Sequence, residues 1–282
     1  MLILPNFLFV GPDKCGTTWF YKVLKEHPEC YVPDQKDLYF FDRYYDKGIE
    51  WYGKFFRHGK HHTAVGEVCH DYISSVIACT RIRQDLGRTK IVICLRNPLE
   101  RSVSNYYYLV KHGFTEKSFE EAINEFSEII ANSLYYENLN RYIETFGREN
   151  VHIVTFDLLK SDPESVTGEL YSFLGIDSSF RPRTLREGKV LPAAIYRNRH
   201  LAKFVKKMAT KIRDLGYPQL VGKFKFSPLV NKLLYKSIDK GDLTILQEIR
   251  IDLCRRFMKD IEAVETIASL DLSLWKSEFS KL

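Results

Sequence analysis

The residues best suited to chemistry lie near the N-terminus, in a loop that joins an apolar run to a helical pattern. The apolar run 7–10 predicts a buried strand, and a polar loop from Gly11 to Gly16 follows it. Thr17 and Thr18 then open a stretch whose apolar residues recur with helical spacing. A strand, a glycine loop and a helix N-terminus make a phosphate site, because unpaired N–H groups and the helix dipole converge there. We therefore expect the loop to bind an anion.

The loop departs from the Walker A pattern of NTP-binding proteins. Gly11 and Gly16 have the required spacing, but Walker A places its lysine directly after the second glycine. Here Thr17 holds that position, and the lysine of the loop is Lys14, which precedes Gly16. We expect Lys14 to face the anion from the other side of the loop. The alternative is a strand–helix turn that carries a lysine without a ligand.

A second candidate anion site follows the apolar run 90–95, KIVICL, which predicts a buried parallel strand. Arg96 leaves this run at its carboxyl end, and a helix beginning at Pro98 carries Ser104. An arginine and a hydroxyl that converge in this way suit a phosphate group bound by charge-assisted hydrogen bonds. The alternative for Arg96 is a structural ion pair.

Two residues are candidates for a general base. Asp37 lies in the segment 34–42, DQKDLYFFD, where burial beside aromatic rings would disfavour the charged form of the carboxyl. His70 follows the predicted strand 63–68, at the end where open α/β sheets bind ligands. The alternatives are that Asp37 caps a turn beside core aromatics and that His70 is structural.

Strands and helices alternate along the chain, which predicts an α/β fold with a parallel sheet covered on both faces. Besides the runs above, a strand is predicted at 151–156 and a helix from Ser161 to Leu174, ended by Gly175. Helical periodicity is also present at 119–132, 134–146 and 243–267, whereas the aromatic and basic segment 47–60 is expected at the surface.

Composition is that of a globular protein, with 282 residues, 45% of them hydrophobic, and a net charge of +6. We favour one large domain, 1–282, over two small ones. Between Arg197 and Lys225, nine Lys/Arg residues stand against the single acid Asp214, so the positive charge is concentrated there. Such a patch suits an anionic ligand or surface, and the alternative is a solvated helix face.

Location is predicted from the absence of targeting signals in the sequence. No apolar run approaches the roughly 20 residues of a membrane span, and no signal-peptide pattern opens the chain. The six cysteines have neither metal-type spacing nor the density of a disulfide framework. We expect reduced cysteines, no metal and a cytoplasmic, bacterial protein. The alternative is a lumenal domain of a membrane-anchored protein.

Taken together, these motifs resemble the PAPS-dependent sulfotransferases, and the carbohydrate (heparan-type) and bacterial members more than the aryl members. The loop from Lys14 to Trp19 matches the 5′-phosphosulfate loop of the family. The family motif R-[DN]-P-x-x-R-x-x-S-x-Y is matched in full from Arg96 to Tyr106. The Phe-Phe-Asp segment near 40 and the ending 272–275 are also similar, and 196–230 is the least similar part.

The resemblance implies a single α/β domain with a central parallel sheet of about five strands, related to nucleotide kinases. It implies transfer of a sulfuryl group from 3′-phosphoadenosine 5′-phosphosulfate (PAPS) to a hydroxyl or amine, without a metal. It assigns the 5′-phosphosulfate contacts to Lys14, Cys15, Gly16, Thr17 and Thr18. It assigns the adenine contact to Trp19, the 3′-phosphate contacts to Arg96 and Ser104, and the contact of a late loop over the cofactor to Lys189.

The base and the acceptor are left open by the resemblance. Heparan-type members have glutamate where this chain has Asp37, which is one methylene shorter, and aryl members use a histidine, which keeps His70 as a candidate. We rank Asp37 first. The acceptor is expected to be a glycan or small molecule, and the basic segment suits an anionic one. Segment 196–230 is expected to lie on the acceptor side of the site, and no nucleic acid is expected as a partner. The alternatives are a P-loop kinase or NTPase, opposed by Thr17 in the Walker lysine position, and a non-catalytic binder of anionic polymers.

Overall fold

The computed structural model describes residues 2–186, 194–196, 205, 207–208, 210–212, 235–237 and 247–280. The chain divides into two compact units. The first unit comprises Met1–Asn97, Tyr135–Val190 and Ala263–Leu270, and the second comprises Pro98–Leu134, Leu191–Glu262 and Asp271–Leu282. Lys189 and most of the basic segment 197–225 lie outside the described residues. The prediction that 1–282 is one domain stays a prediction.

Strands and helices alternate as the sequence predicts. The described strands are β1 (Phe7–Gly11), β2 (Cys30–Tyr31), β3 (Ala64–Val68), β4 (Lys90–Leu95), β5 (Val151–Thr155), β6 (Ala194–Tyr196) and β7 (Tyr235–Ser237). The described α-helices are α1 (Thr17–Glu26), α2 (Phe40–Arg43), α3 (Ile49–Gly53), α4 (Val76–Leu86), α5 (Pro98–Lys111), α6 (Phe119–Glu125), α7 (Glu128–Ala131), α8 (Tyr136–Phe146), α9 (Phe156–Ser161), α10 (Pro163–Leu174), α11 (Gln247–Ala268) and α12 (Ser273–Ser280).

The first unit is built on a five-stranded sheet with the order β2-β3-β1-β4-β5, and every neighbouring pair is parallel. This confirms the predicted α/β fold class. β1 is central, and all five of its residues are buried. The run 7–10 and β4 lack polar alternation because helices cover both faces of a parallel sheet.

The sheet order decides where the site residues meet. β1 lies between β3 and β4, and parallel neighbours end at the same edge of a sheet. The loop after β1, His70 after β3 and Arg96 after β4 therefore leave from that one edge. Gly11 lets the loop after β1 pass close to the backbone of His70, because a Cβ there would lie 2.2 Å from the His70 oxygen.

The helix predicted to start within 161–164 and to end at Leu174 is present as α10, although Ser161 is the last residue of α9. The Asp162 side chain accepts a hydrogen bond from the N–H of Ser165, and Pro163 occupies the first turn of α10. Gly175, with φ 79°, ends the helix in the left-handed conformation. Local capping chemistry was sufficient to predict this element.

The prediction that 47–60 lies at the surface is wrong. Tyr52 and Phe56 are fully buried, and the Tyr52 ring stacks on Phe40 with centroids 4.5 Å apart. The apolar area of these rings outweighs the exposure preferred by the charged residues between them, which point outward. The Tyr52 hydroxyl is buried with a partner, since it donates to Glu67 over 2.7 Å.

The second unit contains α5, α6, α7, α12, most of α11 and the antiparallel pair β6–β7, which the sequence did not predict. The single helix predicted at 119–132 is two short helices, because the chain leaves the helical conformation at Phe126. Arg101 of the matched motif is fully buried and donates to the Ile129 oxygen and the Ser133 hydroxyl. It is therefore a structural residue that holds α5 to α7.

Within the described part of the chain, no helix is long and apolar enough to span a membrane. All six cysteines lie among the described residues, and each is buried and outside any disulfide.

We expect Gly11→Ala to destabilise the fold by about 3 kcal/mol, because the added methyl clashes with backbone and the φ of 120° is strained for alanine. Gly87→Ala is the matched control, since Gly87 also has positive φ but nothing within 4 Å of its Cβ position. That control should cost about 1 kcal/mol. Urea unfolding measures both, and equal costs would show that the approach to His70 is not sterically limiting.

Candidate active site

The glycine loop ends in an N-terminus suited to an anion. Gly16, with φ 80°, precedes the ten-residue helix α1, and its oxygen accepts the N–H groups of Trp19 and Phe20. Among the described residues, no side chain caps α1, and its first turn contains no acid. No side-chain cap or first-turn acid among the described residues therefore offsets the positive end of the helix dipole, which favours a bound anion.

Lys14 and Arg96, predicted as ligands of separate phosphates, are in direct contact. The Arg96 Nη1 donates to the backbone oxygen of Lys14 over 3.3 Å, and its guanidinium lies 4.8 Å from the Phe156 ring centroid. Tyr135 donates to the Arg96 oxygen over 2.7 Å and holds the end of β4. Lys14 itself has φ 65°, a left-handed conformation that costs about 1 kcal/mol for a non-glycine residue. The loop is strained where its lysine lies.

The remaining predicted ligands differ in their surroundings. Cys15 is fully buried, and its Sγ lies 3.4 Å from the Asp13 oxygen, so its thiol contacts the loop itself. Trp19 is half-buried and packs edge-on against Phe20. Ser104 lies on α5 in the second unit.

The two candidate bases, treated by sequence reasoning as alternatives, are hydrogen-bonded to each other. His70 Nδ1 lies 2.7 Å from Asp37 Oδ1. The Asp37 N–H donates to the Val68 oxygen over 2.9 Å, which fixes the segment to the end of β3. The side chain of Asp37 is only 2% exposed. A single buried carboxylate thus joins residues that are distant in sequence.

Lys36, which sequence reasoning missed, connects this pair to the glycine loop. Its Nζ lies 2.8 Å from Asp37 Oδ1, 3.3 Å from Thr17 Oγ1 and 3.4 Å from His70 Nδ1. Its side chain is 4% exposed, so the ammonium is buried. The available signal was a lysine directly before a candidate base in an aromatic segment, but adjacency alone does not predict that both side chains point the same way.

His70 lies between two carboxylates. Its Nε2 is 3.0 Å from Asp71 Oδ1, on the far side of the ring from Asp37. Burial lowers the pKa of His70, but the charge of Asp37 and hydrogen bonds to Asp37 and Asp71 outweigh burial and the opposing charge of Lys36, and raise the pKa to about 9. At neutral pH both ring nitrogens therefore carry hydrogen.

Arg43 completes the ion-pair chain, because it hydrogen-bonds to Asp71. Burial raises the pKa of Asp71, but the hydrogen bond and charge of His70, together with the charge of Arg43, outweigh burial and lower it. Arg43 also lies 3.4 Å from Asp42, whose pKa is raised to about 6 chiefly by burial. Asp71 and Asp42 are therefore ionised at neutral pH.

Glu67 supports the turn that carries Asp37. This carboxyl, fully buried on β3, accepts the N–H of Leu38 over 2.9 Å and the hydroxyls of Tyr52 and Tyr72. Burial raises its pKa to about 7, against the effect of these hydrogen bonds. A glutamate inside the otherwise apolar strand AVGEV was the signal that sequence reasoning did not use.

The turn supported by Glu67 is strained on both sides of Leu38. Asp37 has φ 64° and Tyr39 has φ 57°, so both adopt the left-handed conformation. Each costs on the order of 1 kcal/mol and persists only where surrounding contacts determine it. Strained side-chain-bearing residues of this kind are typical of functional sites.

In the described ranges, no group of three or more His, Cys, Asp or Glu side chains could hold a metal ion.

The chain is similar to several known proteins. It matches the family model described as "Sulfotransferase domain" over residues 4–198. A membrane-associated sulfotransferase, kil1, from Dictyostelium discoideum is 25% identical, covering 66% of this chain and 60% of the relative. A bifunctional heparan sulfate N-deacetylase/N-sulfotransferase 4 from Mus musculus is 29% identical, covering 61% of this chain and 22% of the relative.

These relatives are longer proteins, and the chain spans 60% or less of those named here. A solved sulfotransferase structure from Alicyclobacillus acidocaldarius has the same fold, with a TM-score of 0.69 and 24% identity over 97% of this chain and 99% of that one. The family match covers more than half of the chain and includes both predicted anion-binding motifs that follow β1 and β4. This chain therefore belongs to the sulfotransferase domain family.

Proposed function

We propose that this protein transfers a sulfuryl group from PAPS to a hydroxyl or amine of a carbohydrate or small-molecule acceptor. One observation carries the proposal. A buried ammonium, Lys36, hydrogen-bonds both to Thr17 at the start of α1 and to the carboxylate of Asp37. An anion-binding loop and a candidate base are thus joined by one side chain, as a transfer reaction requires.

The donor is held by the residues that the family pattern assigns. Lys14 and the α1 N-terminus neutralise the 5′-phosphosulfate, and Arg96 contributes to the 3′-phosphate. The contact between Arg96 and the Lys14 backbone supports this, because it fixes both cations relative to each other before the donor binds. The further proposed donor contacts are Cys15, Gly16, Thr17, Thr18, Trp19, Ser104 and Lys189.

The reaction needs charge neutralisation and in-line geometry more than covalent chemistry from the protein. The acceptor oxygen or nitrogen forms the new bond to sulfur while the bond from sulfur to the bridging 5′-phosphate oxygen breaks. Lys14 stabilises the negative charge that develops on that leaving oxygen. The proton of the acceptor passes to the base. The proposal assigns no role to a metal.

Asp37 is the proposed base, and His70 orients it. An imidazole with a pKa of about 9 already carries its second proton at neutral pH and cannot take another. Asp37 pairs with this imidazole and lies directly next to the residue that contacts Thr17. Asp37 is one methylene shorter than the glutamate of heparan-type members, and its left-handed backbone conformation directs the side chain differently from that of an extended residue.

A P-loop kinase is the alternative reaction class. Family membership and Thr17 in the Walker lysine position both oppose it. Thermal-shift measurements separate the two. We expect stabilisation by 3′-phosphoadenosine 5′-phosphate (PAP) to exceed that by ATP with Mg²⁺ at equal concentration, and a preference for ATP with Mg²⁺ would favour the kinase.

The acceptor class follows from the relatives and stays a proposal. Heparan sulfate glucosamine 3-O-sulfotransferase 6 and the N-sulfotransferases among the relatives are named for a glycan, which supports a carbohydrate hydroxyl or amine here. The basic segment 197–225 suits an anionic acceptor. A cytoplasmic, bacterial location stays a prediction. Transfer of labelled sulfate to panels of glycans, phenols and lipids identifies the acceptor.

We expect Asp37→Asn to lower kcat at least 100-fold, because the acceptor proton loses its destination. His70→Gln should lower kcat by about tenfold, since it removes orientation and charge but not the base. Labelled-PAPS transfer measures both. The reverse order of effects would identify His70 as the base.

We expect Lys14→Met to lower kcat/KM at least 100-fold through lost stabilisation of the leaving oxygen. The matched control is Lys60→Met, since Lys60 is an exposed lysine in the same unit and should retain full activity. Unchanged sulfuryl transfer by the Lys14→Met variant would contradict the proposed enzyme mechanism and favour a non-catalytic binder of anionic polymers.

The stability of the protein should fall at alkaline pH through His70. Its folded pKa of about 9 is raised above the ordinary 6.5, so the stabilisation is complete below 6.5 and is lost as pH rises through 9. We expect the wild type to lose about 3 kcal/mol more than His70→Gln between about pH 6 and pH 10, by urea unfolding. An imidazole that titrates near 6.5 by NMR would contradict this assignment.

A further inference from the structure

Lys36 is a buried ammonium whose hydrogen bonds are not complete. An ammonium has three N–H donors, and each needs an acceptor when water is excluded. Two acceptors are evident, Asp37 Oδ1 at 2.8 Å and Thr17 Oγ1 at 3.3 Å. With a side chain only 4% exposed, Lys36 depends on the protein or a ligand for the third.

The remaining contact of Lys36 cannot supply that acceptor. His70 Nδ1 lies 3.4 Å from Nζ, but it also lies 2.7 Å from Asp37 Oδ1. An ionised carboxylate oxygen only accepts, so the hydrogen of that short bond is on Nδ1. Nδ1 therefore donates to Asp37 and has no lone pair for Lys36. Among the described residues, one Lys36 donor is left without an acceptor.

The position of Lys36 indicates where the missing acceptor comes from. Thr17 is the first residue of α1, at the anion-binding end of the helix. A group bound at this end brings anionic oxygens toward the Thr17 hydroxyl, which lies within hydrogen-bond distance of the ammonium. On its other side Lys36 contacts Asp37, the proposed base. The ammonium thus lies between the donor loop and the base.

We propose that Lys36 is a second catalytic cation that hydrogen-bonds an oxygen of the transferring sulfuryl group, while Lys14 serves the leaving oxygen. The inference rests on the proposed sulfotransferase function. As the bond from sulfur to the 5′-phosphate oxygen breaks and the acceptor bond forms, Lys36 neutralises the sulfuryl oxygens. It keeps its hydrogen bond to Asp37, which receives the acceptor proton.

Comparison of PAPS with PAP isolates this contact, because PAP has both phosphates but no sulfuryl group. Asp37→Asn serves as the parent, since it prevents turnover of PAPS. In this background Lys36→Met removes the ammonium and leaves no unpaired carboxylate charge. We expect calorimetric PAPS affinity to fall about tenfold, the worth of one charge-assisted hydrogen bond, with PAP affinity unchanged within about twofold.

Two lysine controls in the same background define the contrast. Lys14→Met should weaken PAPS and PAP together, because its proposed ligand includes the 5′-phosphate common to both. Lys60→Met, at an exposed position, should change neither. Equal losses for PAPS and PAP in the Lys36→Met variant, or no loss for either, would overturn the role of Lys36 and leave the proposed function standing.

Failure of the proposed function has a different signature, since the parent Asp37→Asn would then bind neither nucleotide. Where the Lys36→Met variant does not fold, the wild type decides the question. The ¹⁵Nζ resonance of Lys36 should shift and its hydrogen exchange should slow with PAPS but not with PAP. A resonance that responds equally to both nucleotides would overturn the inference.

Discussion

Asp37 Oδ1 is the atom on which the site depends, because Lys36 and His70 both place a donor on it. A buried carboxylate of this kind is stable only with such partners, since isolated burial of its charge costs several kcal/mol. Each partner in turn contacts something else, Thr17 for Lys36 and Asp71 for His70. Removing any one member leaves a buried charge uncompensated, so the group behaves as a unit.

This carboxylate is held in place by a second layer with a different chemistry. Glu67 accepts the Leu38 N–H and is itself held by the hydroxyls of Tyr52 and Tyr72. These contacts, made from a central strand, are strong enough to keep the left-handed backbone on both sides of Leu38. The rigid sheet therefore determines the direction of the Asp37 side chain, which matters for its proposed role because proton transfer tolerates little displacement.

Much of the fold was accessible from local patterns, and the proposed donor contacts also come from such patterns. A few neighbouring residues were enough to predict several elements. These are the apolar strands β1 and β4, the helix start at Asp162 and Pro163, and the glycine loop. Patterns failed where burial was decided by distant partners. Tyr52 lies in a segment rich in charge, yet Glu67 and the Phe40 ring bury it. Local composition contains no information about either partner.

The sequence by itself determined the α/β class, and it predicted the two anion-binding motifs and the pair of candidate bases. Those features depend on residue type and short spacing, which the chain states directly. Only the tertiary structure decided that Asp37 and His70 are hydrogen-bonded to each other and that this raises the pKa of His70. It alone decided that Lys36 joins the pair to Thr17. Protonation and pairing depend on distances between the ends of β1 and β3, which strand order sets and sequence spacing does not.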